Sequence, residues 1–227
     1  MTKSALPDFS VTRSRRRTIA LRVTVEGKVE VRAPHNTSDY DIEEFLTKHQ
    51  DWLHKRLRKS KELQEEAPEH KFAEGEIFYY LGRRFRLVFV PGRTDADFEE
   101  DRLECRPGPP PFTRKLLLKL YRRDAMQYLT ERTLELAEDH GFKLNAIKMS
   151  GAARRWGSCN SSGNISFTWR LMMCPPEIID YVICHELAHL KELNHSSAYW
   201  KVVEEICPDY KALRKRLRDE QHLYSGF

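Results

Sequence analysis

Residues 181–200, YVICHELAHLKELNHSSAYW, place three histidines and two glutamates within eleven positions of an otherwise apolar stretch. His185 and His189 are four residues apart, so on a helix their rings lie on one face and can bind one tetrahedral zinc ion. Glu186 lies about a third of a turn further round. That position suits a general base acting on a water molecule at the metal better than a third ligand. The spacing is typical of a zinc hydrolase.

The stretch around this motif is predicted to be a largely buried helix. It begins at Pro175-Pro176-Glu177, because proline suits a first helical turn and glutamate favours the positive end of the helix dipole. Two imidazoles and a carboxylate in such a helix are costly unless they have polar partners. A zinc ion with its water would provide them. The apolar positions are Ile178, Ile179, Val182, Ile183, Leu187 and Leu190.

Two histidines do not hold zinc, so a third ligand must follow. His195 is favoured, because Asn194 can adopt a left-handed conformation that ends the helix and returns His195 to the metal. Ser196 then caps the next helix. A carboxylate of that helix, Glu204 or Glu205, is the alternative ligand.

Several neighbours of the motif have open roles. Asp180 could orient an imidazole or could be a surface charge. Tyr181, Tyr199 and Arg154 are candidates to stabilise an oxyanion, and sequence alone does not separate them. Gly157, in the segment Trp156-Gly157-Ser158-Cys159, indicates a bulge or a close backbone approach near the site.

The composition is that of a globular chain of 227 residues, 40% hydrophobic and 32% charged, with a mean hydropathy of −0.66. No window approaches the roughly 20 apolar residues of a membrane span. The N-terminus lacks the apolar region of a secretory signal. Five cysteines without a CxxC pair indicate reduced thiols. We therefore expect a cytoplasmic protein without a membrane partner.

The net charge of +5 is concentrated in two basic runs, residues 13–17 and 211–218. Such runs are usually solvated faces. Neither has the interleaved aromatic residues of a single-strand binder, and no DNA-binding motif is present. Nucleic-acid binding through these runs remains an alternative to the solvated face.

Hydrophobic periodicity predicts a β-rich N-terminal half. Residues 18–25 and 29–33 alternate around the turn Glu26-Gly27 as a hairpin, and residues 77–81 and 85–90 form a second one. Between the hairpins, a helix begins at Ser38, with Asp41 in a capping box, and continues to Leu57. A polar linker over 59–71 follows it.

The segment RPGPPP over 106–111 can continue neither a helix nor a central strand, so it is the predicted domain boundary. Beyond it we expect a helix over 112–140 and then a hairpin of strands 146–156 and 165–171. The prediction is an α+β fold. Its parts are a β-rich N-terminal subdomain over 1–105, a proline-rich linker over 106–111 and a catalytic subdomain over 112–227.

Five C-terminal motifs together resemble the YgjP-like zinc metallopeptidases, relatives of the SprT and WLM peptidases. The resemblance extends to the N-terminal half through RSRRRTIALRVTVEGKVEVRAP, DWLHKRL and GEIFYYLGRRFRL. It implies a small zincin-like core with His185, His189 and His195 as zinc ligands and Glu186 as general base. Metzincins share the histidine spacing, but Glu192 replaces their glycine and no Met-turn follows. The five motifs are RRWGSC, NISFTWRL, YVICHELAHL, NHSSAYW and CPDYKALRKRL.

The sequence therefore predicts a zinc metallopeptidase in which Glu186 moves a proton from water to the leaving amine. Its partner would be a peptide or protein substrate, added as a strand along Ile165–Arg170. A zinc-containing binding module or nucleic-acid-associated protein without peptidase activity is the alternative. A zinc hydrolase for a non-peptide bond is a third hypothesis.

Overall fold

The computed structural model describes residues 6–24, 27–66, 70–153 and 155–224. Within these ranges the chain forms six α-helices and three small sheets, so the predicted α+β class is confirmed. The chain divides into two compact units, Met1–Pro68 and Glu69–Phe227. No helix among the described residues has the length and apolar character needed to span a membrane.

The first unit contains a three-stranded sheet in the order β1-β3-β2. Strands β2 (Ala20–Val23) and β3 (Val29–Pro34) are antiparallel, as the alternation predicts. Residue 25 of the expected strand and residue 26 of the expected turn lie outside the described residues. Strand β1 (Phe9–Ser14) pairs parallel with β3 and was not predicted. Its side chains are mostly exposed, so it lacks the apolar alternation that identifies a half-buried strand.

Two helices follow, α1 (Asp39–Lys48) and α2 (Gln50–Glu66), where the sequence predicted one. The capping box is present: the Asp41 amide donates to Ser38 Oγ at 3.1 Å, and the Ser38 amide donates to the Asp41 carboxylate at 3.2 Å. The helices break at His49, and α2 continues through much of the predicted linker. A separate core joins β3 to both helices through Val29, Val31, Ala33, Ile42, Leu46 and Leu53.

The second unit begins with a four-stranded sheet in the order β4-β5-β7-β6. The predicted hairpin is confirmed as β4 (Ile77–Tyr80) and β5 (Arg83–Phe89), which are antiparallel. The pair β6 (Ala96–Glu99) and β7 (Arg102–Cys105) was not predicted, and β7 lies parallel to β5. The register gives this sheet one continuous buried face.

That face packs on the long helix α3 (Pro110–Asp139), and both belong to one hydrophobic core. The Tyr121 hydroxyl on α3 donates to the Tyr79 carbonyl of β4 at 2.5 Å. The proline-rich segment therefore lies inside a compact unit, and its Pro110 begins α3, since proline is well tolerated in a first helical turn. The two compact units divide between residues 68 and 69, before this sheet.

The third sheet has the order β8-β10-β9. Strands β9 (Gly157–Cys159) and β10 (Asn164–Thr168) form an antiparallel hairpin, and β8 (Ala146–Ser150) lies parallel to β10 on its other side. The predicted hairpin of 146–156 with 165–171 is wrong, because β8, the strand within 146–156, pairs parallel with β10. The antiparallel partner of β10 is β9, which begins after that segment, at Gly157. Strand β10 is therefore central.

Three helices complete the unit: α4 (Pro176–Ala188), α5 (Ser197–Ile206) and α6 (Tyr210–Glu220). A 3-10 helix, Trp169–Met173, leads into α4. Helix α4 is nearly enclosed, as its apolar faces predict, and it contacts α3, α5, α6 and β9. The candidate site lies on this central helix.

Candidate metal centre

The imidazoles of His185, His189 and His195 converge. One ligand atom from each can be chosen so that all three lie within 4.8 Å of one another. No other three histidine, cysteine, aspartate or glutamate side chains form such a group among the described residues, so Glu204 and Glu205 are not part of one. The three histidines could hold a metal ion.

The end of α4 places the histidines. His185 lies in its last turn and His189 is the residue that ends it. Backbone bonds from Lys191 and Glu192 to the Ala188 carbonyl continue the turn. The expected left-handed conformation of Asn194 is wrong, since Asn194 is not among the described residues with positive φ. Ser196 caps α5 as predicted, accepting from the Tyr199 amide at 3.2 Å.

The ring nitrogens have the chemistry that zinc requires. His189 Nδ1 lies 3.1 Å from the Glu192 carbonyl. When Nδ1–H donates to this carbonyl, Nε2 keeps a lone pair that can bind a metal. His185 Nε2 and His195 Nε2 lie 3.2 Å apart. Three imidazoles facing one point fit a divalent transition metal, which accepts a lone pair from each.

The environment favours the neutral, ligating form of the rings. Burial lowers the pKa of His185 to about 3, with a smaller contribution from His189 and His195 nearby. Burial also lowers the pKa of His195, although that ring is exposed on one side. Both shifts favour neutral imidazoles over imidazolium ions, and a neutral imidazole is the form that binds a metal.

Glu186 is buried beside the histidines, with 4% of its surface exposed. Burial raises the pKa of its carboxyl group to about 8, and the nearby Arg155 partly opposes this. Strand β9 covers the carboxylate: a Cβ built on Gly157 would lie 2.6 Å from Glu186 Oε1. The glycine therefore marks the close approach that the sequence suggested, and the contact is with the candidate base.

The structure separates the neighbouring candidates. Asp180 forms two hydrogen bonds of 2.8 Å with the Arg132 guanidinium on α3, so it orients no imidazole. The Tyr199 hydroxyl donates to the His185 carbonyl at 2.9 Å and serves the backbone of the site. Burial raises the pKa of Tyr181 to about 12, so this phenol keeps its proton and remains the oxyanion candidate. Arg154 lies outside the described residues.

Sequence reasoning missed Trp200. Its indole stacks on His195, with ring centroids 5.7 Å apart and planes inclined by 22°. It also stacks on Tyr210 of α6 at 5.3 Å. An apolar residue on α5 looked like ordinary core, and only the turn between α4 and α5 brings it to a histidine. Trp200 thereby links α6 to the candidate metal centre.

The chain is similar to known metallopeptidases in sequence and, over part of its length, in structure. The model of the YgjP-like family, metallopeptidase domain, matches residues 17–220. No curated protein matches the chain. The crystal structure of the metallopeptidase zymogen of Pyrococcus abyssi abylysin is similar to 42% of this chain, over 96% of the abylysin chain. The sequence identity is 21% and the TM-score is 0.39. The zymogen of Methanocaldococcus jannaschii jannalysin is 14% identical, covering 42% and 98%, with a TM-score of 0.36. The family match extends across both compact units.

Proposed function

The chain belongs to the YgjP-like metallopeptidase family, and from that premise we propose that it is a zinc-dependent peptidase. His185, His189 and His195 hold the metal, and Glu186 is the general base. The observation that carries this proposal is the convergence of three imidazoles within 4.8 Å beside a buried carboxylate on the same helix. A ligand set of three histidines leaves a coordination position open, as in catalytic zinc sites.

A bound zinc ion would supply Lewis acidity toward the scissile carbonyl and toward the attacking water. Glu186 Oε accepts a proton from that water as the new C–O bond forms. It then delivers the proton to the amine nitrogen as the C–N bond breaks, which regenerates the carboxylate. The wall formed by Gly157 limits the positions open to the carboxylate, so the proton acceptor stays oriented between turnovers.

The substrate would lie along β9 and not along Ile165–Arg170. Strand β10 is flanked by β8 and β9, so its backbone groups are already paired, and Trp169–Met173 is a 3-10 helix. Strand β9 is an edge of this sheet and passes Glu186 at Gly157. A peptide added to that edge would bring its carbonyl groups past the base and bind through backbone hydrogen bonds.

Two features favour a peptidase over a zinc-stabilised binding module. Structural zinc sites use four protein ligands, and the described residues supply three. Burying a carboxylate destabilises the fold, and a purely structural zinc site does not need a carboxylate at the position of Glu186. The basic run of α6 is also not a uniform phosphate-binding surface, because Lys211, Lys215, Arg216 and Arg218 are paired with carboxylates.

The test is digestion of a proteome-derived peptide library by the zinc-loaded protein and by Glu186→Gln, with cleavage products identified by mass spectrometry. Glutamine keeps the size of the side chain and removes the proton acceptor. Cleavage should fall by about 10²–10⁴-fold while zinc content and melting temperature persist. Equal cleavage by the variant would remove the proposed base. A zinc-loaded wild-type protein that cleaves no peptide would favour the binding module.

A further inference from the structure

Helix α6 places one guanidinium over the aromatic ring that stacks on a candidate ligand. Arg214 Cζ lies 4.6 Å from the centroid of the Trp200 ring. Trp200 stacks on His195 at 5.7 Å and also approaches His185, at 6.1 Å between centroids. Arg214, Trp200 and His195 thus form a continuous series of contacts from α6 to the metal centre.

Arg214 differs from the other cations of α6 in its partners. Each of the four others forms an ion pair: Lys211 with Glu204, Lys215 with Asp219, Arg216 with Glu177 and Glu220, and Arg218 with Asp219. Arg214 has no carboxylate within ion-pair distance among the described residues, although it is exposed and its helix neighbours find such partners.

The stacking geometry holds the guanidinium and leaves its donors free. A guanidinium on an indole is attracted through its face, while its N–H groups point outward in the plane and can bind a carboxylate through two parallel bonds. The guanidinium of Arg214 is therefore connected to the metal centre through Trp200 and oriented by the stacking. No carboxylate of the described residues pairs with it.

We propose that Arg214, held by Trp200, binds a carboxylate of the peptide substrate beside the scissile bond. This inference rests on the proposed peptidase function and adds a substrate class to it, namely peptides with a carboxylate near the cleaved bond. That carboxylate is either the C-terminus or an aspartate or glutamate side chain, which present the same two oxygens to the guanidinium.

The experiment measures binding without turnover. Zinc-loaded full-length Glu186→Gln is immobilised and exposed to a proteome-derived peptide library, and to the same library with all carboxyl groups converted to amides. The same protein carrying Arg214→Met or Arg214→Lys is compared with it. Arg218→Met is the matched control, because Arg218 lies one turn further along α6 and is paired with Asp219. Zinc content and melting temperature are recorded for each variant.

Retained peptides should carry carboxylates, and amidation should lower their retention about tenfold or more, as for loss of a charge-assisted pair. Arg214→Met should lower it equally, Arg214→Lys should restore part of it, and Arg218→Met should leave it unchanged. Synthetic copies of the best-retained peptide, with a C-terminal amide or with asparagine for aspartate, identify which carboxylate is bound.

Two results would overturn the inference: no carboxylate-dependent retention, or equal retention by Arg214→Met when zinc content is preserved. Cleavage of the library by the wild-type protein, measured in parallel, keeps this outcome separate from the peptidase proposal. Cleavage without preference for carboxylates leaves the peptidase and removes the role of Arg214. Carboxylate-dependent retention without cleavage supports the role of Arg214 in peptide binding and removes the peptidase activity.

Discussion

The backbone of Gly157 lies against the carboxylate of Glu186 so closely that a Cβ there would come within 2.6 Å of Oε1 and 2.7 Å of Cγ. Real side chains essentially never approach to that distance, so any other residue at 157 must displace the glutamate or the strand. Glycine therefore sets the spacing between β9 and α4.

Gly157→Ala is expected to lower peptidase activity by about tenfold to a hundredfold, because a shift of roughly 1 Å in a catalytic group costs that much. Zinc content should persist, since the histidines do not contact Gly157 in this way. Steady-state turnover and metal analysis test this. Ser158→Ala is the matched control on the same strand and should retain activity. Unchanged turnover of Gly157→Ala would mean that the Glu186 position is not critical.

Single replacement of His185, His189 or His195 by alanine should reduce bound zinc from about one ion per chain, because each removes one of three protein ligands. Metal analysis after dialysis against a weak chelator measures the loss. His54→Ala, an exposed histidine on α2, should keep full zinc. Full retention of zinc by His195→Ala would contradict the proposed set of three histidine ligands and would indicate Glu204 or Glu205 as the third ligand.

The two tyrosines should respond differently to loss of the hydroxyl group. Tyr199→Phe removes the 2.9 Å bond to the His185 carbonyl in a fully buried position, so it should cost about 1 kcal/mol of stability. Tyr181→Phe should instead lower kcat with little change in melting temperature, if Tyr181 stabilises the oxyanion. Thermal melts and kinetics on both variants distinguish these effects. Normal kcat in Tyr181→Phe would exclude it from that role.

Asp180→Asn should weaken the contact between α3 and α4 without lowering the amount of bound zinc. The pair with Arg132 is bidentate but about 29% exposed on each side chain, so the expected loss is about 1 kcal/mol, observed as a lower melting temperature. A double-mutant cycle with Arg132→Met isolates the pair from the Arg132–Glu135 contact. Zinc loss in Asp180→Asn would show instead that Asp180 supports the ligands.

Local pattern was sufficient for much of the site and part of the fold. The histidine spacing, the helix start at proline and the Ser196 cap depend on residues within a turn or two of each other, so a sequence pattern can specify them. The same holds for the capping box at Ser38 and for the two hairpins, each of which pairs residues that are near in sequence.

The pairings between distant segments followed no such pattern. The parallel pairs β1–β3 and β8–β10 join strands separated by other elements, and mostly exposed strands such as β1 have little alternation to reveal them. Because β8 and β9 take both sides of β10, the strand predicted to receive substrate became central, and the available edge moved to β9.

The sequence by itself thus determined which side chains could bind a metal and move a proton, since those roles follow from residue type and helical spacing. Tertiary structure decided what surrounds them. Gly157 lies against Glu186, Arg132 binds Asp180, and Trp200 stacks on His195 with Arg214 over its ring. These are contacts between different elements. Their free energy depends on how buried faces pack, and spacing along the chain does not encode that packing.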